Sequence, residues 1–239
     1  TAFDPDALTL DDFPTQLITS GTAVLEGTEP LYLIAQIPDH DTWLYGLSGG
    51  YGLILRVGAQ WKNLDLGYLT PRAVLPAMAY GDFDGDLELE LALLVYTDSG
   101  TGVSIWDLHI IEFESETLWT DCWFAPPDYQ AILSQIVTYT HDPSVGGVTI
   151  AAGESRRFQP DPALQQDGLT PGAFQTGQCG DRIVSFSVSG DAIRADFGVS
   201  LFYENIVPSV EAGSVQADVI FTGSAFGLAN FMVVADAPA

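Results

Sequence analysis

Between residues 31 and 66 the chain falls into strand-like, largely apolar runs too short for helices, and a turn signal closes each run. The runs are 31–37, 42–47, 52–58 and 61–66, separated by Pro38-Asp39, Gly49-Gly50 and Gly58-Ala59-Gln60. A period of two sends successive side chains to opposite faces of a strand, and connections this short join neighbouring antiparallel strands rather than parallel ones. The same reading predicts strands at about 88–97, 103–114 and 117–121, with Asp98 to Gly102 as a turn. A second antiparallel group is expected at about 182–190, 191–203, 214–222 and 225–235.

Helix signals are fewer. Tyr129, Ile132, Leu133, Ile136 and Val137 share one face of a helix expected over 127–139, and Pro126-Pro127 suits its first turn. Residues 1–20 read as a short helix and docking arm interrupted at Pro14, and 153–181 as a long irregular connection rich in Gly, Pro, Gln and Asp. The expected fold is therefore mainly β: antiparallel sheets with one or two packed helices. Two regions are expected, 1–122 and 123–239, as separate halves or one continuous domain. At 239 residues with 47% hydrophobic content, a sizeable core is within reach.

Thirty-two acidic residues against seven basic ones give a formal charge of −25, which repels nucleic acid and anionic membranes and favours divalent cations. No apolar run approaches the roughly 18 residues of a membrane helix. The chain opens at Thr1 without a charged n-region or apolar h-region, which is the expectation for a cytosolic protein or for an exported one whose signal has been removed.

The strongest local signal is Asp82-Phe83-Asp84-Gly85-Asp86-Leu87-Glu88-Leu89-Glu90, with carboxylates at positions 1, 3, 5 and 9. Alternate side chains of a tightly wound loop converge on one point, and a hard divalent cation offsets their mutual repulsion. Calcium is the expected ion, bound by the side chains of Asp82, Asp84, Asp86 and Glu90 and the main-chain carbonyl of Glu88. An EF-hand is excluded, because it requires Gly at loop position 6, Glu at position 12 and a following helix. Those positions hold Leu87 and Leu93, and the alternation of Leu87, Leu89, Leu91 and Leu93 marks a strand. Gly85 suits the sharp turn between Asp84 and Asp86.

On these residues the chain resembles the FG-GAP and VCBS type of calcium loop, Asp-x-Asp/Asn-x-Asp-Gly-x-x-Asp/Glu-Leu leading into a strand. Every ligand position matches, and Leu87 stands where that family usually has Gly. Residues 44–47, 70–72 and 100–104 also look like uncharacterised VCBS-containing lipoproteins of gut Firmicutes. The resemblance implies an exported, calcium-stabilised protein and brings no activity. A propeller is not expected, since Asp39-His40-Asp41 and residues 161–168 lack the loop spacing and a propeller needs several such loops.

Other candidate chemistry is weaker. Gly46-Leu47-Ser48-Gly49-Gly50 matches the nucleophile-elbow pattern, yet strands flank it and no helix follows, so Ser48 is expected in an exposed hairpin turn. His40, His109 and His141 are scattered and form no zinc pattern; His109 is expected as a hydrogen-bonded core or edge histidine. Asp82-Phe83-Asp84 lacks the βαβ context of a glycosyltransferase, and Gly100-Thr101-Gly102 lacks the Lys of a phosphate loop. Trp43, Tyr45, Tyr51, Trp61, Tyr68 and Tyr80 serve either sugar stacking or core packing. Cys122 and Cys179 are expected as one disulfide or as two buried thiols. Two functions follow: an exported, calcium-stabilised surface or binding protein for a protein or carbohydrate ligand, or an extracellular carbohydrate-active hydrolase.

Overall fold

The computed structural model describes residues 3–19, 29–48, 52–70, 74–115, 118–144, 146–159, 172–204, 206 and 209–234. They form a mainly β protein of antiparallel sheets with one α-helix and no closed propeller among the described residues. The chain divides into two compact units. One comprises Thr1–Asp82, Asp86–Thr101 and Ile105–Trp123; the other comprises Phe83–Gly85, Gly102–Ser104 and Phe124–Ala239.

In the first unit a four-stranded meander runs β1 (Leu31–Ile37), β2 (Thr42–Leu47), β3 (Leu53–Val57) and β4 (Gln60–Asn63), each strand antiparallel to the next. Both faces of this meander are buried. Phe13, Leu31, Leu33, Tyr45 and Ile54 pack on one side, and Ile34, Leu44, Leu53, Leu55 and Tyr68 join the main core on the other. The register of β1 shifts between Leu33 and Ala35, so that beyond it Ala35 and Ile37 join the cluster of Tyr32 and Ile34 instead of that of Leu31 and Leu33. The N-terminal arm consists of two 3₁₀ turns, Pro5–Ala7 and Leu10–Asp12, where a short helix was expected. It delivers the Phe13 ring 4.8 Å from Tyr45 and 5.3 Å from Trp61. These aromatic rings are core, and the Arg56 guanidinium lies 4.5 Å over Trp43.

Four further strands complete that unit: β5 (Ala77–Gly81), β6 (Glu90–Gly100), β7 (Val103–Phe113) and β8 (Trp119–Trp123). Strands β5, β6 and β7 are hydrogen-bonded in that order, and β8 pairs with β7. Strand β6 begins at Glu90 and not at 88. Leu87 and Leu89, with which the alternation starts, lie outside it and are exposed, whereas Leu91 and Leu93 are buried.

The second unit opens with α1 (Pro126–Ile136), whose first turn holds Pro126 and Pro127. The predicted helix ran three residues too far, because Thr138–Asp142 is a strand, β9, paired with β10 (Gly147–Ala152). Strand β10 also pairs with β11 (Glu154–Phe158). Long strands β12 (Phe174–Ser189), β13 (Ala192–Tyr203), β14 (Val210–Phe221) and β15 (Phe226–Val234) follow in sequential antiparallel order. The connection expected over 153–181 is thus strand at both ends, and its centre, 160–171, lies outside the described residues. Phe124, Tyr129, Phe186 and Phe197 form an aromatic core beneath α1.

Both cysteines are free thiols, the second of the two expected alternatives, and both are half-buried rather than buried. Cys179 sits within β12 with its thiol directed at the Phe197 carbonyl 3.7 Å away. No helix among the described residues is long and apolar enough to cross a membrane.

Candidate metal centre

Strands β5 and β6 form a hairpin whose base is the Gly81–Glu90 pair, so residues 82–89 are its loop. Gly85 adopts φ +84°, the left-handed conformation that glycine enters without steric cost. Leu87 adopts φ +75°, a conformation rare for a branched aliphatic residue, and its side chain is 90% exposed. Leucine occupies a backbone position built for glycine, and nothing packs around its side chain to compensate.

Hydrogen bonds within the loop hold the turn. The Leu87 N–H donates to Asp82 Oδ2 at 3.1 Å, and the Glu88 N–H donates to Asp86 Oδ1 at 2.8 Å. These bonds restrict the Asp82 and Asp86 side chains before any ligand arrives. Asp82, Asp84, Asp86 and Glu90 each bring one oxygen to a group whose members all lie within 4.8 Å of one another. Glu88 lies in the same loop with an exposed side chain that does not join the group. Glu90 is 1% exposed, and a carboxylate removed from water demands compensating charge or hydrogen bonds.

A second chain segment comes close to the loop. At Gly223, in the turn between β14 and β15 with φ +74°, an added Cβ would stand 2.9 Å from Asp84 Oδ2. Glycine leaves room there for the carboxylate. The sequence offered no signal for this approach, because Thr222-Gly223-Ser224 reads as an ordinary hairpin turn.

Four oxygen donors, no sulfur and no imidazole suit a hard cation that prefers oxygen, such as calcium, over zinc or copper. Among the described residues this is the one convergent group of three or more potential metal-ligating side chains.

The remaining candidates are not drawn together. Ser48 is half-buried rather than exposed, its N–H bonded to the Pro30 carbonyl at 3.0 Å, while Gly49 and Gly50 lie outside the described residues. The His40 ring lies 4.3 Å from Tyr80, and His141 lies 5.5 Å from Phe174. His109 is buried and hydrogen-bonded, its Nδ1 2.9 Å from Asp121 Oδ1. Comparison with protein families, with curated proteins and with solved structures finds no match.

Proposed function

We propose that this chain is an exported surface or binding protein whose fold is stabilised by calcium held at the β5–β6 hairpin loop. The observation that supports the reading is the convergence of Asp82, Asp84, Asp86 and Glu90 within 4.8 Å. Unit charges at such separations repel by about 1 kcal/mol per pair in water and more where solvent is excluded. A divalent cation turns that repulsion into attraction and ties the entry of β6 to the hairpin. The Glu88 carbonyl supplies a further oxygen in this assignment. Calcium here supplies charge and cross-linking; no bond-making step is assigned to it.

Export fits a site of this composition, since sites of extracellular modules work at roughly 10⁻⁴ to 10⁻³ M calcium, a level sustained outside cells. Attachment to a cell surface through a lipid belongs to the same proposal.

A thermal melt tests the calcium. Binding to the folded state alone stabilises by RT ln(1 + [L]/Kd), so millimolar calcium raises Tm above that in chelator. In Asp84→Ala the increment shrinks or vanishes. Equal melting temperatures in chelator and in calcium would remove the metal from the reading.

A further inference from the structure

One sheet face in the first unit changes character along its length. On β6, β7 and β8 the odd-numbered residues share a face. At one end they are Leu91, Leu93, Val95, Ile111 and Trp119, all buried in the main core. Towards the other end the same face carries Thr97, Asp107, His109, Asp121 and Trp123. Pairing of His109 with Trp123 and of Ile111 with Asp121 sets the last three side by side. Asp121 holds His109 Nδ1 through both carboxylate oxygens, at 2.9 and 3.1 Å, and the imidazole lies parallel to the Trp123 indole with centroids 5.9 Å apart.

Residues 65–69 run over this end of the sheet, held by the Leu69 N–H donating to the Tyr96 carbonyl at 2.7 Å and the Tyr68 hydroxyl donating to the Leu47 carbonyl at 3.0 Å. A cavity of about 500 Å³ remains between the segment and the sheet. That volume suits a small molecule. Its walls are apolar at Leu66, Leu69 and Val95, and Asp65, Asp107 and His109 line it as well. Among the described residues no lysine or arginine does. Trp123 remains 46% exposed at its edge.

Burial pushes the Asp107 carboxyl above the ordinary carboxylate range, while the charge of His109 and a hydrogen bond from Thr97 pull it back. His109 is already engaged by Asp121, so among the described residues the carboxylates of the cavity exceed the positive charge. A neutral sugar could stack on Trp123 but would leave that excess unanswered. Among the described residues a bare metal ion lacks a convergent ligand set here. An ammonium group meets both demands, pairing with carboxylate and lying against the indole face.

We propose that this cavity binds an organic cation: an ammonium group carried on a small apolar body, with Asp107 and Asp65 supplying charge, Trp123 the aromatic face, and Leu66, Leu69 and Val95 the apolar walls. The assignment rests on the binding-protein reading and names its ligand class. It does not depend on calcium, because none of these residues belongs to the Asp82–Glu90 loop.

The test is titration by calorimetry and tryptophan fluorescence with n-pentylammonium, using 1-pentanol as the neutral analogue and methyl β-glucoside as the sugar. Saturable binding of the ammonium alone is expected, weakened about tenfold in Asp107→Asn and in Trp123→Ala. Asp65→Asn, at an exposed residue whose φ of +52° Asn tolerates, weakens it by about threefold and serves if Asp107→Asn fails to fold. Absence of saturation in the folded wild-type protein, equal affinity in Asp65→Asn and Asp107→Asn, or preference for the sugar would each overturn the proposal. Titrations in calcium and in chelator separate the two readings. Ammonium binding without a calcium effect on Tm removes only the metal, and a calcium effect without ammonium binding removes only this ligand.

Discussion

Leu87 concentrates the conflict between local and tertiary demands. The hairpin closed by Gly81 and Glu90 has to turn its backbone so that three alternate aspartates face inward, and at residue 87 it does so with φ +75°. A side chain in that conformation costs roughly 1–2 kcal/mol, and glycine escapes the cost while losing some entropy on folding. Because the Leu87 side chain is 90% exposed, removing it sacrifices little packing. Leu87→Gly is therefore expected to raise stability by about 0.5–1 kcal/mol, read from the urea midpoint in millimolar calcium, and a lower midpoint would show that the exposed leucine has a partner of its own. The departure from the loop pattern was visible in the sequence; its conformational reason was not, since a φ angle becomes known only once the turn is built.

At the scale of elements, the strand pattern identified the meander, β6 to β8 and most of the C-terminal group, and missed β5, β9, β10, β11 and the first half of β12, even though Val148, Ile150 and Ala152 of β10 are buried. Strand β11, Glu-Ser-Arg-Arg-Phe, carries exposed residues along almost its whole length and exists through its register with β10. Strand β9 follows directly on a helical pattern, and the β propensity of Thr138 and Tyr139 together with pairing to β10 ends the helix at Ile136. Close packing then fixes small residues that looked like turn formers. A Cβ on Gly177 of β12 would collide with the Tyr139 ring of β9. Gly177→Ala is expected to cost about 1–3 kcal/mol as the ring is displaced, measured by chemical denaturation. An unchanged midpoint would mean that β9 yields without loss.

For the molecule as a whole, the charge of −25 sets how stability responds to solution conditions. Like charges repel more in the folded chain than in the expanded one, and the screening length falls from about 30 Å at 0.01 M salt to about 8 Å at 0.15 M. In chelator, sodium chloride over that range is expected to raise Tm by about 2–4 °C, corresponding to roughly 1 kcal/mol for a chain of this size. A falling Tm would show that attractive pairs outweigh the net charge. The four ion pairs among the described residues, His109–Asp121, Arg156–Glu154, Arg157–Asp142 and Arg194–Asp218, are too few to reverse it.

What the sequence determined by itself is local: the β character from its period of two, the helix start at Pro126-Pro127, and the carboxylate spacing from Asp82 to Glu90. Each depends on residues a few positions apart, where chain geometry alone relates the side chains. Tertiary structure decided the rest. His109, Asp121 and Trp123 become neighbours through the register of β7 with β8, and the segment 65–69 closes over them through hydrogen bonds to Tyr96 and Leu47. Gly223 reaches Asp84 from a turn far along the chain. No local pattern encodes these juxtapositions, because hydrogen-bond registers and burial are settled only when distant strands pair.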